Sequence, residues 1–109
     1  MMIQRLAVVL SEAAIADLEA IAAYILENSG SENTANGFVD RIEKRCRSIG
    51  NAPRGGRSRD DIMPGLRTVP FEHSAVIAYV VEGDAVFIVN VFYGGRDYEA
   101  MIRGGSEPS

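Results

Sequence analysis

The sequence predicts an α+β two-layer domain of order β-α-α-β-β-β, with a helical hairpin packed on a mostly antiparallel sheet. Three observations predict it. Two amphipathic stretches, 12–28 and 32–50, carry helix start and stop signals and follow one short strand-like run. Three apolar runs then close the chain, 66–71, 74–82 and 85–93, the last two dense in β-branched and aromatic residues. Gly83-Asp84 stands between the last two as a two-residue hairpin signal.

Each element has its own reason. Residues 3–10, IQRLAVVL, place Ile3, Leu6, Val8 and Leu10 in partial alternation, which suits a first strand. Ser11 stands where an N-cap belongs, and Glu12 puts a carboxylate in the first turn of the helix that follows. That helix has a stripe of Ile15, Leu18, Ala22 and Ile25, widened by Ile21 and Leu26, and Gly30 supplies its stop. Ser31 or Asn33 caps the second helix, whose stripe is Phe38, Ile42, Cys46 and Ile49 with Ala35 and Val39 beside it. Gly50 and Pro53 end it, and the short link between the helices implies an antiparallel pair. Residues 51–65, NAPRGGRSRDDIMPG, form a loop long enough to suggest a functional role. In the strand at 66–71, Pro70 requires an edge or a bulge. Gly94-Gly95 ends the last strand, a short terminal helix is expected over 96–103, and residues 104–109 are expected to be a flexible tail on a single domain of residues 1–103.

Composition narrows the function. A chain of 109 residues, 47% apolar and 24% charged, is an ordinary globular chain with room for one domain. One Cys excludes an internal disulfide framework and suits a reducing cytoplasm. No signal peptide is expected, because the apolar run after Arg5 stops at Leu10, and no run approaches the ~20 apolar residues of a membrane span. The net charge of −4 argues against a general nucleic-acid binder. The charge is unevenly spread: residues 1–40 carry −5, 41–67 carry +5 and 68–109 carry −4. The basic segment reads either as a solvated surface or as a contact for an anionic partner.

Chemistry is sparse. One His and one Cys make no metal site, and neither Gly55-Gly56 nor Gly94-Gly95 has the spacing of a phosphate loop. No cofactor is expected. His73 and Ser74 are adjacent on an extended stretch, so their side chains diverge and no nucleophile–base pair forms. One catalytic option remains, metal-free RNA cleavage, in which arginines stabilise the phosphorane and a Tyr moves protons. Arg67, Tyr79, Tyr93, Arg96 and Tyr98 are the residues for it. An unassisted Tyr has a pKa of about 10, a poor base at neutral pH. Cys46 lies on a buried stripe and reads as core.

These residues also resemble a known family. LSEAAIADLEAIAAYILENS, FVDRIEKRCRSIGNAPRGGRSRDDIMPGLRTVPF and VFIVNVFYGGRDYEAM are similar to the ParE branch of the RelE/ParE toxin superfamily, over about residues 3–102. Asp17-Leu18, Ile21 and Tyr24-Ile25 match its first helix. Pro53, Gly56-Arg57 and Arg59, followed by Pro64-Gly65-Leu66-Arg67, match its loop, and Gly94 with Arg96-Asp97 matches its terminal motif.

The resemblance implies a RelE/ParE-like fold and a small cytoplasmic toxin of a type II toxin–antitoxin pair, of the kind associated with plasmid stabilisation. It implies a protein inhibitor of DNA gyrase rather than an enzyme, neutralised by a ParD-like antitoxin in a hetero-oligomer, expected to be a heterotetramer. DNA is then touched only through antitoxin or gyrase. Arg54, Arg57, Arg59 and Arg96 are the expected target contacts. Ile21, Tyr24, Ile25, Phe38, Arg41 and Arg45 are the expected antitoxin contacts. The alternatives are a ribosome-dependent mRNA endoribonuclease using Arg67, Tyr93 and Arg96, and an inactive homologue that only binds antitoxin. Tyr93 near the end of the last strand resembles the ribonuclease branch, whereas the acidic balance and the single Lys, Lys44, favour the gyrase branch.

Overall fold

The computed structural model describes residues 5–94. The terminal helix expected over 96–103, the tail after it, and Arg96 and Tyr98 lie outside the described residues. The elements are β1 (Ala7–Leu10), α1 (Glu12–Ser29), α2 (Glu32–Ser48), a single 3-10 turn (Ile49–Asn51), β2 (Arg57–Ser58), β3 (Arg67–Phe71), β4 (Ala75–Glu82) and β5 (Ala85–Tyr93). They form the α+β two-layer arrangement expected, with one addition. The loop contains a two-residue strand, β2, which has too few residues for any periodicity to announce it.

Capping decides where the helices start. Ser11 Oγ accepts from the Ala14 amide at 3.0 Å, and Ser31 Oγ accepts from the Thr34 amide at 3.2 Å, so Ser31 rather than Asn33 is the second cap. Gly30 closes α1 in the left-handed region at φ 69°, where its amide donates to the Leu26 carbonyl.

The sheet has the order β1-β5-β4-β3-β2. β1 runs parallel to β5, and every other pairing is antiparallel. β3 is flanked by β2 only at Arg67 and Thr68, so Pro70 sits where no second partner needs its missing N–H. β5 carries a bulge opposite Ala78/Tyr79: Ala78 pairs with Asn90 and Tyr79 with Ile88, leaving Val89 as the extra residue.

Both helices cover one face. Ala14, Leu18, Ile21 and Ile25 of α1 and Ala35, Phe38, Ile42 and Cys46 of α2 pack with Val69, Ile77, Tyr79, Val86, Ile88 and Val91. The α1 stripe is rotated from the expected one. Ala14 is fully buried, whereas Ile15 and Leu26 are exposed. The small Ala14 side chain lets the helix sit close to β5, and Ile15 is turned outward to a groove along α2. The alternate residues of the strands point to the opposite face. There a second, smaller core of Leu66, Ala78 and Phe92 is covered by Ile62 and Met63 from the loop.

Candidate functional site

The loop between α2 and β3 is the first candidate surface. Its backbone is fastened from beneath by two side chains that are cross-strand partners, Arg67 on β3 and Tyr79 on β4. The Tyr79 hydroxyl donates to the Pro53 carbonyl at 2.8 Å and accepts from the Gly56 amide at 3.0 Å. Tyr79 is fully buried. Arg67 Nη1 donates to the carbonyls of Gly56, at 2.9 Å, and Arg54, at 3.2 Å. Gly56 is needed here for close approach, since a Cβ on it would lie 2.5 Å from the Tyr79 oxygen.

The three loop arginines then part company. Arg54 and Arg57 are exposed, and no acceptor among the described residues takes either guanidinium. Arg59 turns inward. It is 7% exposed and forks onto Asp61, Nε at 3.0 Å from Oδ1 and Nη2 at 2.8 Å from Oδ2. Its expected place on an outward target surface therefore does not match its position. Asp60 accepts from the Gly65 amide at 2.8 Å and from Ser58 Oγ at 3.1 Å, which holds its carboxyl below the usual range.

Of the residues considered for RNA cleavage, the three that are described, Arg67, Tyr79 and Tyr93, are not gathered in one place. Arg67 and Tyr79 are neighbours, but the Tyr79 hydroxyl gives both its donor and its acceptor capacity to the loop backbone, and Arg67 Nη1 is bonded there too. Tyr93 lies opposite Ala75, four residues along β4 from Tyr79, about 13 Å of strand. Its ring meets Tyr24 and Phe38 edge-on, with centroids 5.7 and 5.4 Å away. Phe38 also meets Phe71 edge-on at 5.6 Å. Among the described residues no group of His, Cys, Asp and Glu is placed to hold a metal ion.

The second candidate surface lies at this aromatic end. A cleft of about 310 Å³ is bounded by Asp17, Ile21 and Tyr24 of α1, by Val91 to Tyr93 at the end of β5, and by Gly94 just after it. Tyr24 is 54% exposed at its rim. Of the expected antitoxin contacts, Ile21, Ile25 and Phe38 are core residues, with only Ile21 also forming cleft wall. Their 3–4 spacing belongs to the face that meets the sheet. Arg41 is exposed, but Nε and Nη2 hold both oxygens of Glu72 at 2.8 and 3.0 Å. That bond keeps the Glu72 carboxyl below, and the Arg41 guanidinium above, their ordinary values. Arg45 is exposed and donates to Ser48 Oγ. A groove of about 550 Å³ along the outer seam of the helices has an apolar floor of Leu10, Ile15, Leu18, Ala22 and Val39 and an acidic rim of Glu19, Asp40 and Glu43. The sequence reading missed it because Ile15 reads as part of the inward stripe.

Comparison with known proteins decides the family. A model described as the ParE toxin of the type II toxin–antitoxin system parDE matches residues 8–98. The chain belongs to the ParE toxin family. Toxin ParE3 of Caulobacter vibrioides is 31% identical over 86 residues, covering 79% of this chain and 84% of that protein. A solved structure titled as a chromosomal ParDE toxin–antitoxin system from P. aeruginosa has the same fold, with a TM-score of 0.73 at 22% identity. That match covers 84% of this chain and 98% of that one. Both surfaces thus belong to a type II toxin, and Gly56-Arg57 and Asp17-Leu18 fall inside the matched region. No helix among the described residues of the toxin is long and apolar enough to cross a membrane.

Proposed function

We propose that this ParE-family toxin acts in the cytoplasm by binding DNA gyrase and arresting it, and that a ParD-like antitoxin neutralises it. The observation that carries the choice of gyrase over RNA cleavage is the use made of Arg67 and Tyr79. The Tyr79 hydroxyl, the proton-moving group beside Arg67, is fully engaged by the loop together with Arg67 Nη1, and Tyr93 is separated from them along the sheet. What the loop offers outward is charge, Arg54 and Arg57, suited to an acidic surface on a protein target. We assign the antitoxin to the aromatic end, where Tyr24 and the Ile21 cleft accept an apolar segment, with exposed Arg45 farther along α2 to meet an acidic one.

A supercoiling assay tests the target. Antitoxin-free toxin, plasmid, ATP and the host's own gyrase are expected to give loss of supercoiling with gyrase-linked linear DNA. Normal supercoiling at large molar excess of folded toxin would overturn the gyrase reading, and cleavage of mRNA on ribosomes would replace it. The double variant Arg54→Glu, Arg57→Glu is expected to remain folded and lose inhibition. Full potency in that variant would remove the loop from the target contact.

A further inference from the structure

We infer that Tyr79 and Gly56, with Arg67, form a latch whose role is to hold the Arg54–Arg57 segment in the conformation that meets the target, so that these three are positioning residues. The inference rests on the proposed reading of the loop as the target contact.

The argument begins with how the bonds are distributed. Four hydrogen bonds from two side chains all end on backbone atoms of residues 53–56, within one turn of chain. The loop supplies one more of its own, from the Gly55 amide to the Ala52 carbonyl at 3.0 Å. β2 pins the far end by pairing Arg57 with Thr68. Loops on a protein surface ordinarily satisfy their backbone groups with water and pay nothing for motion. Here a fully buried Tyr is placed beneath the loop, with both capacities of its hydroxyl used.

Gly56 shows the latch from the other side. Its amide reaches the hydroxyl only because no Cβ stands between them. The two arginines that the latch aims take no acceptor among the described residues. Long side chains on a mobile backbone lose affinity through ordering on binding, and a fixed backbone removes part of that cost. Arg67 cannot stand in for the Tyr79 bonds, because it takes different carbonyls.

The test compares the wild-type toxin with Tyr79→Phe and Gly56→Ala. Tyr79→Phe keeps the ring in the core and deletes the hydroxyl. Gly56→Ala leaves the hydroxyl and forces the loop away from it. Amide hydrogen exchange reads the latch directly. Both variants are expected to exchange faster over residues 54–57, with the protection of α1, α2 and β4 unchanged. Both are expected to lose about tenfold or more in gyrase inhibition, while antitoxin affinity stays within about twofold. A merely structural role would weaken both activities together. Unchanged exchange over 54–57 in Tyr79→Phe would overturn the latch whatever the target. If Arg54→Glu, Arg57→Glu loses inhibition and Tyr79→Phe retains it, the positioning role fails and the loop reading stands. If the charge reversal retains inhibition, the loop reading fails and the positioning role fails with it.

Discussion

The Val91 amide stands just beyond the β5 bulge, where β1 has already ended at the Leu10–Ile88 pair. It is met by Asp17 from α1, whose Oδ2 accepts from the Val91 amide and from Asn90 Nδ2, both at 2.9 Å. Ser11 does the same one step earlier, donating through Oγ to the Val89 carbonyl at 2.8 Å. The first half of α1 is therefore bound to the bulge by its own polar side chains, which fixes where Ile21 and Tyr24 stand over the cleft. Removing the carboxylate leaves the Val91 donor buried without a partner, a loss of about 1–3 kcal/mol. Asp17→Ala is expected to lower the melting temperature by roughly 10 °C in a domain of this size, with Asp17→Asn losing less because its carbonyl oxygen still accepts. Calorimetry checks it, and an unchanged melting temperature in Asp17→Ala would sever the assigned link between helix and bulge. The sequence contained half of this. Asn90 is a polar residue inside VFIVNVFY, a signal that something polar lies opposite, but the bulge and its partner 73 positions away could not be read from spacing.

The elements divide in the same way between local and tertiary causes. Helix ends were legible because Ser11, Ser31 and Gly30 act on neighbouring backbone alone. The β4–β5 hairpin was legible because Gly83 takes φ 61°, as a turn with a glycine at its first central position requires. The β3–β4 turn gave no such sign. Glu72 and His73 both have positive φ, 48° and 58°, and the Ser74 amide closes on the Phe71 carbonyl at 3.1 Å. That is the geometry normally left to Asn-Gly, and each non-glycine residue in it costs about 1–2 kcal/mol. The bidentate bond from Arg41 to Glu72 holds the tip against α2. No comparable bond holds His73 among the described residues, so His73→Gly is expected to stabilise the toxin by about 1 kcal/mol, after allowing for the entropy that glycine adds to the unfolded chain. A urea midpoint at or below that of wild type, with an unchanged slope, would contradict a strained turn.

At the scale of the molecule, one sheet separates two cores of unequal size, and the larger one decides which residues remain for function. Ile21, Ile25 and Phe38 show the limit of reading a site from pattern. Helical spacing marks an apolar face without saying whether a sheet or a partner covers it, and here the sheet covers it. Arg59 shows the same limit for charge, since a fork onto Asp61 two residues away is invisible in a count of arginines. Cys46 is the case where pattern sufficed: it lies on the α2 stripe and is fully buried in the larger core. Burial pushes its thiol up to about 11, the negative charge of Glu43 adds to this, and Arg47 and Arg45 oppose it. The thiolate is the reactive form, so folding protects Cys46 both by covering it and by keeping it protonated. The sign follows for stability. A thiol raised above its unfolded value contributes fully below about pH 8.5 and loses that contribution as pH rises through the folded value. Under native conditions at pH 8, labelling by a disulfide reagent is therefore expected to wait for global opening, about 10³-fold or more slower than in denaturant. The rate is expected to climb more steeply with pH above about 9 than thiolate formation on an exposed cysteine allows, because the fold itself weakens there. Complete labelling within minutes at pH 8, with the circular dichroism of the folded toxin intact, would show that the region around Cys46 opens independently, and the single cooperative core assigned to this face would have to be divided.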